Sequence, residues 1–241
     1  MRLLARWLLL ALAGVLLLQA FFIGHIALMA WIDPQSTTFE RSEAWRLARS
    51  GELRWSQQWR NYADLSDHLK RAVIASEDDN FANHEGVDWE AIERAWERNA
   101  KAQEAAARRA AENRPAATVK IRGGSTITQQ LAKNLLLSGE RTLLRKGQEL
   151  MLTFALERLL TKRRILELYL NHVEWGSGVF GAEAAARHYF RKSAAQLSAW
   201  EAARLAVMLP RPRYFEQRPR SGYLNQRATT IVARMRGVEL P

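Results

Sequence analysis

From Trp7 to Ile32 the chain is almost wholly apolar, broken only by Gln19, His25 and two glycines. No surface helix of a soluble domain tolerates such a run. At about 1.5 Å per residue it outspans the roughly 30 Å hydrocarbon core of a bilayer. A cleaved signal peptide is the rival reading, but its apolar region is only about 7–15 residues long and ends at a small-x-small site. No Ala-x-Ala closes the run here. We therefore expect residues 7–32 to form a retained transmembrane helix. Arg2 and Arg6 precede it, which places residues 1–6 in the cytoplasm and the rest of the chain outside.

The charge balance fits that placement. The formal net charge is +11; with Arg2 and Arg6 set aside, 34 basic residues face 25 acidic ones, an excess of +9. Nucleic acid, anionic headgroups and diphosphates all attract such a surface, and an anchored domain favours the last two over nucleic acid. Cysteine is absent, which excludes disulfides and thiolate metal sites. In the juxtamembrane segment 33–60, Trp45, Trp55 and Trp59 alternate with Arg41, Arg46, Arg49, Arg54 and Arg60, just after Trp31. That pattern suits a headgroup zone, and equally a basic element packed on the domain.

Beyond it, helical periodicity dominates. Leu65, Leu69, Ala72, Val73 and Ser76 share a face of a helix ending near Glu77. Asp88 caps a second helix, with Trp89, Ile92 and Trp96 as its apolar side. That helix runs into an Ala/Arg-rich stretch with high helix propensity and hardly any apolar stripe, broken at Asn113-Arg114-Pro115. Residues 100–122 read as a solvated extension and mobile connector. Further helices are expected over 125–137, 142–170 with a break near Thr161, and 196–209. A turn-rich loop holds Gly176, Gly178 and Gly181. Strand patterns are sparse, so the fold class is mainly α.

Three groups of residues carry chemistry. Glu77 lies on the buried side of its helix at the lip of a loop, where partial desolvation makes a carboxylate a better base. Glu149 sits on an inward stripe with Leu152, Leu156 and Leu159, so its charge must be paired, neutral or functional; an ion pair with Arg145 at i,i+4 is the plain alternative. Two such acids can divide glycosyl chemistry between them. The third group is Gly123-Gly124-Ser125-Thr126-Ile127-Thr128-Gln129-Gln130-Leu131-Ala132-Lys133-Asn134. Its free backbone N–H groups and dipole suit a phosphate, and Thr126, Gln129, Gln130 and Lys133 recur at i, i+3, i+4 and i+7 along one polar face. Arg141 and Arg145 add charge for a diphosphate. The spacing is not that of a Walker loop. His84 lacks a partner at metal-ligand spacing, so ordering its loop suits it better than zinc. Asp78 and Asp79 offer carboxylates to a divalent ion, although nothing in the pattern requires one.

With these residues assembled, the chain resembles the monofunctional biosynthetic enzymes among the peptidoglycan glycosyltransferases, glycosyltransferase family fifty-one. The family's motifs recur in order as Glu77-Asp78-Asp79-Asn80-Phe81-Ala82-Asn83-His84-Glu85-Gly86, the Gly124–Asn134 run, and Arg145-Lys146-Gly147-Gln148-Glu149. The fourth is Arg164-Ile165-Leu166-Glu167-Leu168-Tyr169-Leu170-Asn171, continuing to Tyr189-Phe190-Arg191-Lys192, and the fifth is Leu197–Ala206. The resemblance implies a lysozyme-like glycosyltransferase domain over 61–217, followed by a C-terminal segment 218–241, on the outer face of a bacterial inner membrane. It implies polymerisation of lipid II onto a growing glycan chain held by its polyprenyl diphosphate, with cell-wall synthesis or division proteins as partners. Glu77 matches the general base and Glu149 the acid that assists on the phosphate side, directly or with basic neighbours or a metal such as Mg or Mn. Lys133, Arg141 and Arg145 match donor-site cations, while Ser125, Thr126, Gln129, Gln130 and Asn134 fall in the substrate-lining motif. Asp78, Phe81, His84 and Gly86 match loop-ordering positions. The connector around residues 100–118 is longer than the family's pattern.

Two other functions stand beside this one. A lytic transglycosylase or hydrolase of the same fold would cleave glycan with one dominant acid and has no need of a diphosphate site beside an anchor. A membrane-tethered scaffold would have no need of Glu77, Glu149 and Lys133. No Ser-x-x-Lys occurs, so transpeptidase chemistry is not expected.

Overall fold

The computed structural model describes residues 2–112, 123–137 and 142–241. The chain is mainly α. In order it forms α1 (Arg2–Leu28), α2 (Thr38–Arg49), β1 (Ser56–Gln57), α3 (Asp67–Glu77), α4 (Trp89–Ala111), α5 (Ile127–Leu136), α6 (Leu143–Leu159) and α7 (Lys162–His172). Then come β2 (Glu174–Gly176), β3 (Val179–Phe180), α8 (Ala182–Phe190), α9 (Ala199–Met208), α10 (Pro212–Glu216) and α11 (Gly222–Arg234). Helix starts follow side-chain chemistry. Thr37, Thr126 and Ser198 each close a reciprocal capping box with Glu40, Gln129 and Glu201. Thr161 accepts from the Arg164 N–H and so starts α7, which is why the long helical run breaks there.

One continuous core joins two groups of helices. In one, α3 packs on α9, and α11 packs on both. Leu69 and Val73 of α3, Ala203, Leu205 and Ala206 of α9, and Leu224, Ala228 and Ile231 of α11 are among the buried residues these helices contribute. The small side chains of α9 allow neighbouring backbones to come close. Segment 218–241, set apart from the domain in the sequence reading, is therefore part of its core; its apolar residues recur at helical spacing and bury against α9. In the other group, α5 packs on α6, α7 and α2. A small sheet in the order β1-β3-β2 closes this side, with β1 parallel and β2 antiparallel to β3.

Several expectations need correction. Helix α8 lies where only a turn-rich loop was foreseen: Gly181, at φ +78, passes so near Asn171 that a Cβ would sit 2.6 Å from its carbonyl oxygen, and the helix begins straight after. Trp89 and Trp96 are exposed and not packed; α4 meets the domain through Ile92 and Ala95, and the small Gly124 lets its backbone approach. Leu159 is 39% exposed although its i+7 spacing puts it on the Leu152 side, because it is the last residue of α6. The 33–60 segment packs on the domain. Thr38 donates to the Leu135 carbonyl, Glu40 is buried against His172, and the Trp55 ring stacks on Phe180.

Buried charges pin α7 and α8. Glu183 is fully buried yet its pKa is lowered: burial opposes ionisation, and the Ala194 N–H, Arg60 and Ser193 outweigh it. Asn171 accepts from the Arg60 N–H and donates to the Arg60 and Glu167 carbonyls.

Helix α1 is long and apolar enough to cross a membrane, judged by length and composition. Only its final turns touch the domain. Gln19 and Gln148 exchange a pair of 2.9 Å amide hydrogen bonds, and Ile26 and Met29 enter the core. Arg164 grips the helix end through the Met29 and Ile32 carbonyls and Asp33.

Two outcomes follow. Removing residues 2–18 should leave the melting temperature of detergent-solubilised protein nearly unchanged. Removal through Ile32 should lower it sharply, since each fully buried Ile or Met contributes about 1.5–3 kcal/mol; equal melting temperatures would refute the docking. Gly178 has φ +74, and a Cβ there would meet the Arg54 carbonyl oxygen at 1.8 Å. Gly178→Ala should cost at least about 1–3 kcal/mol in denaturant melts from backbone strain alone.

Candidate active site

Glu77 ends α3 at the edge of the loop that follows. Its Oε2 accepts from Gln130 Nε2 at 3.0 Å, and Ser76 Oγ lies 3.4 Å from Oε1. Burial raises its pKa above the ordinary glutamate range; the Gln130 and Ser76 hydrogen bonds pull it down, Asp78 pushes it up and Arg227 opposes that. A half-buried carboxylate with one oxygen only weakly engaged is equipped to take a proton.

The loop behind it is bolted to the start of α5. Asp78 is buried, and both its oxygens lie within 3.0 Å of His84 Nε2. Its Oδ2 also accepts the Ile127 N–H at 2.9 Å. His84 Nδ1 accepts the Gly86 N–H at 3.1 Å, so the ring proton sits on Nε2 and points at Asp78. Thr126 Oγ1 donates to the Gly86 carbonyl at 2.6 Å. Phe81 is fully buried, edge-on to His84 and under the Lys162 ammonium. Gly86 takes φ +88, and a Cβ there would strike Thr153 of α6 at 2.7 Å. Lys162 completes the bolt, bonding the His84 carbonyl and Glu157, which also accepts from Thr128.

The polar face foreseen on α5 is not one face. Thr126 and Gln129 are buried and spend their side chains on each other's backbone N–H groups. Periodicity grouped them with Gln130 and Lys133, but Thr126 precedes the helix and the capping box turns Gln129 inward. Gln130 is half-buried and reaches Glu77; Ser125 and Lys133 are exposed and Asn134 is half-buried. Arg141 lies outside the described residues.

Glu149 is buried on α6, and it is paired. Arg145 Nη1 donates to Oε2 at 2.8 Å, and Lys146 Nζ holds Oε1. The carboxylate thus gathers two cations at one helix end. Gln130 of α5 touches Glu77, and α5 packs on the helix that carries Glu149. A surface hollow of about 460 Å³ adjoins the loop at Asn80, His84 and Glu85 but includes neither acid.

No cluster of three or more metal-binding side chains occurs among the described residues. Asp78 is spent on His84 and Ile127, and Asp79 pairs with Arg234 at 2.7 Å. These carboxylates do not fit a divalent ion in this arrangement. Sequence reasoning missed Tyr169, whose hydroxyl lies 2.9 Å from Gln130 Oε1, and Arg227, which α11 brings near Glu77. Tyr169 stood in the fourth motif, but an apolar stripe gives a core tyrosine no mark of its own; Arg227 lay in a tail with no evident link to the site.

Residues 46–236 match the Transglycosylase family. The chain is 52% identical over 227 residues to a biosynthetic peptidoglycan transglycosylase of Bordetella pertussis, covering 94% of this chain and 89% of that one. It is 51% identical to one from Paraburkholderia phytofirmans, over 92% of this chain and 87% of that one. A third, from Burkholderia orbicola, is 50% identical over 99% of this chain and 93% of its own length. With the mainly α fold and a likeness that spans nearly the whole chain, this protein belongs to the transglycosylase family.

Proposed function

We infer that this chain polymerises lipid II into β-1,4-linked glycan strands for cell-wall synthesis, releasing polyprenyl diphosphate. The observation that carries the mechanism is Glu77, a carboxylate whose proton affinity is raised by burial and which sits beside the motif loop. In this reading the acceptor's 4-hydroxyl gives its proton to Glu77 as its oxygen attacks the donor's anomeric carbon. The bond to the diphosphate breaks on the opposite face, with inversion, and the electron pair leaves on the diphosphate. Arg145 and Lys146, gathered by Glu149, supply positive charge for that leaving group, with Lys133 gripping the donor. Ser125, Asn134 and Arg141 are assigned to the same donor side, and Gln130 to the base. No step is routed through a metal ion.

The membrane placement belongs to the same proposal. Helix α1 crosses the bacterial inner membrane once, with Arg2 and Arg6 in the cytoplasm and the domain outside, where lipid-linked substrate arrives.

Incubating the full chain with lipid II in detergent tests the reaction. Growth of glycan polymer is expected, whereas shortening of preformed glycan without synthesis would mean a cleaving enzyme. Glu77→Gln should lose about 10²–10⁴-fold in rate while keeping its melting temperature; near wild-type turnover would remove Glu77 from the role of base. The base must be ionised, so the rate should fall as pH drops through a pKa above the ordinary glutamate range. An acid limb in or below that range would contradict the assignment. Glu149→Gln leaves Arg145 and Lys146 without their counter-charge and should lower turnover roughly ten- to a hundredfold. Lys133→Ala should chiefly raise the donor concentration needed for half-maximal rate; an unchanged value would take Lys133 out of the donor site.

A further inference from the structure

The base is not held by α3 alone. Three helices meet at it: Glu77 ends α3, Gln130 comes from α5 and Tyr169 from α7. Tyr169 Oη lies 2.9 Å from Gln130 Oε1, and Gln130 Nε2 lies 3.0 Å from Glu77 Oε2. We propose that Tyr169 is a positioning residue for the reaction, its hydroxyl holding the Gln130 amide in the one orientation that donates to Glu77.

The chemistry of the three groups supports this. An ionised carboxylate only accepts, so Gln130 must turn its NH₂ toward Glu77 and its carbonyl away. A glutamine amide is nearly symmetric in shape, and packing alone does not choose between its two orientations. Tyr169 makes the choice. Its hydroxyl stays protonated, because burial and then the charges of Glu77 and Asp78 push its pKa well above the usual range. It is 1% exposed, which keeps bulk water from taking its place. A buried hydroxyl that keeps its proton must donate it, and the acceptor in reach is Gln130 Oε1.

Without that hydroxyl the amide can turn, and the hydrogen bond that favours ionised Glu77 weakens. Glu77 then binds its proton more tightly. The other charged groups facing Glu77 are Asp78, next in the chain, and Arg227 from α11; neither is altered by a change at Tyr169. The inference rests on Glu77 being the base, and it adds that the base's proton affinity is set from α7, a helix that need not touch substrate.

The test is the pH dependence of lipid II polymerisation by full-length, detergent-solubilised Tyr169→Phe. The acid limb should move up by about one pH unit, the scale of a lost charge-assisted hydrogen bond. Turnover on the alkaline plateau should stay within severalfold of wild type. A merely structural role would lower the plateau and the melting temperature and leave the limb in place, which would overturn the proposal. Gln130→Met should shift the limb in the same direction, and adding Tyr169→Phe to it should shift the limb no further; additive shifts would show that Tyr169 acts by another route. Should Tyr169→Phe not fold, Gln130→Met alone decides, since an unmoved limb there removes the link through which Tyr169 acts. Glu77→Gln run in parallel separates the two claims. If it keeps its turnover, the base assignment fails. If it is inactive while the Tyr169→Phe limb stays put, only the positioning role fails.

Discussion

One buried carboxylate holds the arrangement together. Asp78 takes a proton-bearing nitrogen from His84 and the first N–H of α5 on the same pair of oxygens. A negative charge removed from water needs such partners, and here both come from elements that must meet for the site to exist. Through it the loop after α3 is fixed against the start of α5. The neighbouring Glu77 thereby reaches Gln130, and Gly86 comes so close to α6 that no side chain fits between them. Two successive acids thus have opposite tasks, Asp78 fully engaged and Glu77 partly open.

The cations on α6 follow a related rule. Glu149 spends its charge on Arg145 and Lys146 within one helical turn. An exposed pair of this spacing is worth only a few tenths of a kcal/mol, but Glu149 is buried, and its two partners satisfy it. The reading of Glu149 as paired and the reading of it as functional are therefore compatible. In the proposed mechanism the carboxylate's service is to hold positive charge where a diphosphate departs.

Much of this was legible from spacing alone. Helices α1, α3 to α7 and α9, the cap at Asp88, the break at Thr161 and the loop-ordering geometry of His84 all rest on local rules, which a sequence displays directly. What stayed hidden depends on tertiary direction. Thr126 and Gln129 carry the polarity expected of substrate contacts, but their Thr-x-x-Gln spacing is also that of a capping box, and polarity alone does not separate the two. Helix α11 reads as a tail until its apolar residues are seen against α9. Tyr169 sits among leucines as a core aromatic would, and only its approach to Gln130 distinguishes it. Trp89 and Trp96 mislead the other way, since apolar spacing on α4 signals a buried face that the domain does not cover.

Helix α1 also serves as wall: Ile26 from its last turn and Met29 just after it enter the interior, and Arg164 clasps its end. An enzyme on a slack leash would tumble and meet lipid-borne ends from every angle. A body fused to its own post would, in a bilayer, keep a single tilt and a constant height above the headgroups. Combined with the membrane placement proposed above, that rigidity would feed each new sugar in from one direction and send the lengthening polymer out along another.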